Sequence, residues 1–156
     1  MAKKMKAIDV INSAKQEFAS RKVILIANNN IEYEVLIQEK LNESKLAELV
    51  SELTTRSEEF NRLNLEFDII LNIYILIIKY FTDIKFNNYK VVTKQIVHET
   101  ELIKALIDMN LLEQILNNFN EDCIKDLEKL FNKYPKQMNK ITESMAMKEV
   151  IKSADI

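Results

Sequence analysis

The sequence predicts a mostly α-helical domain organised around one buried central helix at about residues 65–84, with a small N-terminal β-hairpin at about residues 22–37. Three observations carry this reading. Residues 69–78 form the most apolar stretch of the chain, bracketed by Asp68 and Lys79 and interrupted by Asn72. An uncharged run of roughly 10–14 residues is too short for the ~20 of a membrane span and suits a helix buried by its own domain. Second, Ile31, Glu32, Tyr33, Glu34 and Val35 alternate apolar with polar, the period-two pattern of a half-buried strand. Third, apolar side chains recur at helical spacing through most of the chain from Leu46 to Phe119.

Each element has its own local signal. Ala7, Ile8, Ile11, Ala14 and Phe18 sit close to helical spacing, which predicts a short amphipathic helix over residues 6–20. Val23, Ile24, Leu25 and Ile26 then make a β-rich segment, and Asn28, Asn29 and Asn30 supply turn chemistry before the alternating strand. At least one of these asparagines is expected in the left-handed backbone region. Asn42 is placed to cap a helix reaching about residue 59, with Leu46, Leu49, Val50 and Leu53 on its apolar face.

The central helix starts near Arg62 or Asn64, and Thr82 and Asp83 punctuate its end. Ile70, Ile73, Ile77 and Phe81 are expected to be its most deeply buried residues. Residues 89–97 read as helix more than strand. Leu102, Ile103, Leu106, Ile107 and Met109 give the next helix one broad apolar face, and Asn110 marks a kink or pause before Leu111, Leu112, Ile115, Leu116 and Phe119. Asn120 caps a further segment with Ile124, Leu127, Leu130 and Phe131 on its buried face, which Pro135 ends. Residues 1–135 thus form a single mainly helical domain with an N-terminal hairpin. Residues 136–156 are a sparsely apolar tail, either helical or mobile, with Met138, Ile141, Met145 and Val150 at scattered positions.

Composition narrows the function classes. There are 22 basic and 24 acidic residues, a net charge of −2, which argues against the basic footprint of a nucleic-acid-binding protein. Lys3, Lys4 and Lys6 are followed by no long apolar region, so neither a signal peptide nor a membrane anchor is expected. A single cysteine, Cys123, rules out an internal disulfide and suits a reducing compartment. Glycine is absent, where average usage would give about eleven in a chain of this length. Without glycine there is no phosphate-binding loop, dinucleotide fingerprint or nucleophile elbow.

The residues that carry chemistry elsewhere are thinly spread. His98, the only histidine, lies beside Glu99 and Glu101 but has no nucleophile with an orienting partner in the sequence, and reads as a surface or boundary residue. Cys123 follows Glu121 and Asp122, whose charge blunts a thiol, and reads as structural. The acidic pairs Glu58 and Glu59, Glu99 and Glu101, and Glu121 and Asp122 lack the spacing of a calcium loop. Tyr74, Tyr80, Phe81 and Phe86 read as packing around the central helix. No catalytic residue, metal ligand or cofactor is therefore expected, and the chain reads as a non-enzymatic binding protein. The hairpin's edge offers β-augmentation, and the C-terminal segment offers a second docking element.

The order of elements resembles that of the tail assembly chaperones of long-tailed phages of Gram-positive bacteria. The resembling pieces are residues 22–27, residues 31–37, the helix from Asn42, the body over residues 68–84, and the late helix over residues 102–119. The resemblance implies no catalysis, protein partners in the form of the tape-measure protein and the tail-tube subunits, and action in the host cytoplasm rather than in the finished particle. Nucleic acid and membrane are not among the expected partners, and homo-oligomerisation is an open option. The alternatives are a phage structural or connector component and a small helical inhibitor of a host protein.

Overall fold

The computed structural model describes residues 2–119. They form a mostly α-helical body with a two-stranded antiparallel sheet near the N-terminus. In order come α1 (Ala7–Glu17), β1 (Arg21–Asn28), β2 (Ile31–Gln38), α2 (Glu43–Arg62), α3 (Ile69–Phe81), α4 (Val92–Asp108) and α5 (Leu111–Asn117). The expectations for Cys123, Glu121, Asp122, the segment capped by Asn120 and the tail at 136–156 lie outside the described residues.

The hairpin turns at Asn29 and Asn30, both with positive φ (49° and 66°). Positive φ at both central residues is what a tight hairpin turn of the primed kind requires, and asparagine is among the non-glycine residues that best tolerate it. The turn sets the register Ile24 opposite Val35 and Ile26 opposite Tyr33. Ile24, Ile26, Val35 and Ile37 are thereby buried on one face, while Val23 and Leu25 stay exposed on the other.

Groups from later in the chain close both sheet edges at one position each. On β1, the Ala27 N–H donates to Gln114 Oε1 and the Ala27 carbonyl accepts from Gln114 Nε2, both at 3.0 Å. On β2, the Leu36 N–H donates to Asp83 Oδ1 (2.9 Å) and the Leu36 carbonyl accepts the Asp83 N–H (3.0 Å). The primary amide of Gln114 thus takes the place of a third strand at Ala27.

The α2 helix runs further than the apolar pattern predicts, and the reason lies at its end. Asn64 adopts a left-handed conformation (φ 55°), the Leu65 N–H bonds the Phe60 carbonyl at 2.8 Å, and the Asn64 N–H bonds the Asn61 carbonyl at 3.1 Å. This bond pair is a Schellman cap, with asparagine at the position usually given to glycine. It terminates α2 where a continuous central helix from Arg62 or Asn64 is expected, so the central helix is shorter than residues 65–84. It begins at Ile69, capped by Asp68, whose side chain accepts the Leu71 N–H at 3.0 Å.

Helix α3 lies between two core clusters. Leu76, Ile77 and Phe81 pack with Leu46, Leu49, Val50 and Leu53 of α2. Ile75 and Ile78 pack with the inner face of the hairpin and with Ile103, Leu106 and Ile115. Ile77 and Phe81 are buried as expected, but Ile70 is 60% exposed and Ile73 only half-buried. The helix is buried on successive positions only over Ile75, Leu76, Ile77 and Ile78, and Ile70, in its first turn, stands clear of both clusters. Asn72, which breaks the apolar run, is buried instead.

Helix α4 confirms the helical reading of residues 89–97 from Val92 onward. Ile103 and Leu106 are buried, whereas Ile107 is exposed and Leu102 and Met109 are half-buried, so the buried face is narrower than the apolar pattern. Asn110, left-handed at φ 57°, separates α4 from α5.

Candidate interaction surface

Helix α1 has 11 residues, none of them buried. Asp9 in its first turn and Lys15 in its last turn match the helix dipole, but Lys6 at the N-cap makes no side-chain cap bond. Helices of this length are marginal in water by themselves and ordinarily depend on an apolar face packed against something. Ala7, Ile11, Ala14 and Phe18 fall on one stripe, flanked by Ile8 and Val10. Ile8 and Ile11 are 59% and 49% exposed.

The stripe is anchored only at its C-terminal end. Phe18 is half-buried, and its carbonyl accepts Arg21 Nη1 at 2.9 Å. Lys40 and Glu17 form an exposed pair at 3.9 Å, the kind of contact that contributes about 0–1 kcal/mol. Between this end of α1 and the first turn of α2 lies a cleft of about 590 Å³, lined by Ala14, Lys15 and Phe18 on one side and by Gln38, Asn42 and Lys45 on the other. Arg21 is also part of its lining. The N-terminal half of the α1 stripe, with Ile8 and Ile11, extends beyond this anchored end.

Three basic side chains, Lys15, Arg21 and Lys45, line the cleft against one acidic one, Glu43. Lys45 Nζ donates to Gln38 Oε1 (2.9 Å) and to the Tyr80 carbonyl (3.1 Å), and lies 5.7 Å from the centre of the Phe81 ring. Burial, and then the neighbouring charge of Arg21, push the Lys45 ammonium below its ordinary pKa, against the opposing pull of Glu48. Asn42 stands at the N-cap of α2 as expected but makes no side-chain cap bond: its amide nitrogen donates to Ser44 Oγ at 2.9 Å and its oxygen accepts from Gln38 Nε2 at 3.0 Å.

The residues singled out for chemistry sit elsewhere. His98 is half-buried, as a boundary residue should be, and its Nε2 accepts the Asn87 N–H at 2.9 Å. An accepting Nε2 in a neutral ring requires the proton on Nδ1, so the lone pair a general base would use is occupied by the backbone. The Phe86 and Tyr89 rings flank it at 6.2 and 5.4 Å between centroids. Glu99 and Glu101 are not brought together: Glu101 is exposed, whereas Glu99 is buried and ion-paired with Arg56 Nη2. Arg56 Nη1 also reaches Asn72 Oδ1 at 3.4 Å, so α2, α3 and α4 meet at one polar junction. Glu58 is exposed, and Glu59 pairs with Arg62 at 3.5 Å. Tyr74 and Phe86 pack on the hairpin-side cluster, and Tyr80 and Phe81 on the α2-side cluster, as packing residues should. Among the described residues no group of three or more His, Cys, Asp or Glu side chains could hold a metal ion, and no helix is long and apolar enough to cross a membrane.

Sequence reasoning misses two of the features that shape this surface. The apolar stripe of α1 is legible, but not that it is left uncovered. The basic cleft is not legible, because Lys15, Arg21 and Lys45 come from three separate elements. Comparison with family models, curated proteins and solved structures finds no match.

Proposed function

We propose that the chain is a non-enzymatic phage assembly protein, a tail assembly chaperone that binds tape-measure and tail-tube proteins in the host cytoplasm. The observation that carries a binding role is α1, a helix with an apolar stripe and no buried residue. An apolar helical face next to a cleft is a recurring way of holding a partner's helix. The phage assignment rests on the order of elements: short helix, hairpin, then helical body.

The test is affinity capture with the tagged full-length chain from a lysate of its native source, with mass spectrometry of the captured proteins. Recovery of a long helical tape-measure-like protein or of tail-tube subunits, lost with Ile11→Ser, is the expected result. A single host enzyme captured instead overturns the chaperone reading in favour of an inhibitor. Incorporation of the chain into purified virions overturns it in favour of a structural component.

A further inference from the structure

We infer that the cleft between α1 and the start of α2 receives an acidic amphipathic helix of a partner protein, with the α1 stripe closing over its apolar side. The inference rests on the reading of this surface as a partner site and specifies what the partner presents there.

Two features select the occupant. The first is shape and polarity. Ala14 and Phe18 form an apolar wall of the cleft, and Ile11 continues the same stripe beyond it. A helix presenting apolar residues at i, i+3, i+4 and i+7 matches such a wall. The second is charge. Lys15, Arg21 and Lys45 line the cleft, with Glu43 the one acidic residue among its lining. Arg21 and Lys45 lie close enough for the charge of one to disfavour that of the other. A carboxylate arriving between them relieves that repulsion, whereas a basic partner adds to it. Charge arranged in this way steers encounter and rejects partners of the wrong sign.

Two other surfaces among the described residues lack this combination of apolar wall and basic lining. The outer face of the hairpin exposes Val23 and Leu25, but beside Glu32 and Glu34. The cleft at Tyr89 and His98 has Tyr89 and Val97 in its lining but one charge of each sign, Lys94 and Glu101.

The experiment uses the full-length chain and two labelled synthetic peptides of about 18 residues, roughly five helical turns. Both carry leucine at i, i+3, i+4 and i+7, one with glutamate and the other with lysine at the flanking positions. Fluorescence anisotropy is expected to show the glutamate peptide binding at least about tenfold more tightly, with the preference shrinking as salt is added. Lys15→Glu should shrink the preference without unfolding the chain, and Ile11→Ser should weaken binding of both peptides. Equal affinity for the two peptides, or binding of neither, overturns the inference. So does a dimer of the chain that Ile11→Ser converts to monomer, because the stripe then belongs to a second copy. Capture of tape-measure or tube proteins that depends on Ile11 but comes without charge preference leaves the proposed function standing and removes this inference. Charge preference without such capture does the reverse.

Discussion

The guanidinium of Arg56 on α2 and the carboxylate of Glu99 on α4 form a buried ion pair between residues 43 positions apart in the chain. Asn72 on α3 joins the pair through Arg56 Nη1, and its own amide nitrogen donates to the Asp68 carbonyl at 2.8 Å. The junction therefore ties the three long helices and the N-terminus of α3 together. Removing one partner of such a pair leaves an uncompensated buried charge, which typically costs about 3–5 kcal/mol. Glu99→Ala and Arg56→Ala are each expected to lower stability by that order in urea titrations. Replacing both with apolar residues of similar volume, Arg56→Met with Glu99→Leu, should recover most of the loss.

The two ends of α3 should respond oppositely to an introduced charge. Ile78 is fully buried between α3 and the hairpin, so Ile78→Asp places an unpaired carboxylate in a dry core and should abolish cooperative unfolding. Ile70→Asp, at a largely exposed position, should change stability by less than about 0.5 kcal/mol. Ile73→Asp, half-buried against the α2 cluster, should fall between them. Circular dichroism melts of the three variants give the order directly.

Four asparagines occupy left-handed backbone that glycine would ordinarily take: Asn29, Asn30, Asn64 and Asn110. A β-branched residue there meets a steric penalty of about 1–2 kcal/mol. Asn30→Val and Asn64→Val should lower the melting temperature accordingly. Asn30→Gly converts the turn to the favoured Asn-Gly pair and should leave stability unchanged or raise it slightly.

Alkaline stability should depend on Tyr80. Burial, and then the charge of the nearby Glu52, raise the Tyr80 phenol above its ordinary pKa of 10.0. Above about pH 10 the unfolded chain loses this proton while the folded chain keeps it, so the unfolded state binds fewer protons and stability falls as pH rises. Tyr80→Phe should flatten that decline in denaturant titrations across about pH 9–11. Lys45 has the opposite sign. Its pKa lies below 10.5 in the folded chain, so stability rises with pH in the window just below that value. Lys45→Met should accordingly steepen the alkaline loss.

How much of the structure is legible in the sequence depends on the range of the interaction concerned. The hairpin and its turn are readable because alternation and three successive asparagines are local signals. Asn110 is readable as a break because apolar residues resume immediately after it. Asn64 is not, since Leu63 and Leu65 on either side continue an apolar pattern through a residue that ends a helix. Ile70 is misplaced because periodicity reports which residues share a face, not how far along a helix the covering layers extend. Glu99 looks like half of a surface acidic pair because nothing near it in sequence shows the arginine that meets it. The basic cleft is hidden for the same reason.

The closure of the sheet edges by Gln114 and Asp83 has a consequence for how the chain is made. Bare strand edges invite pairing with other chains, and here the groups that occupy two edge positions come from much later in the sequence. During translation the hairpin leaves the ribosome well before either guard exists. Each nascent chain thus passes through an interval in which β1 and β2 are exposed to neighbouring chains on the same polysome, and that interval ends only when α5 has emerged and docked.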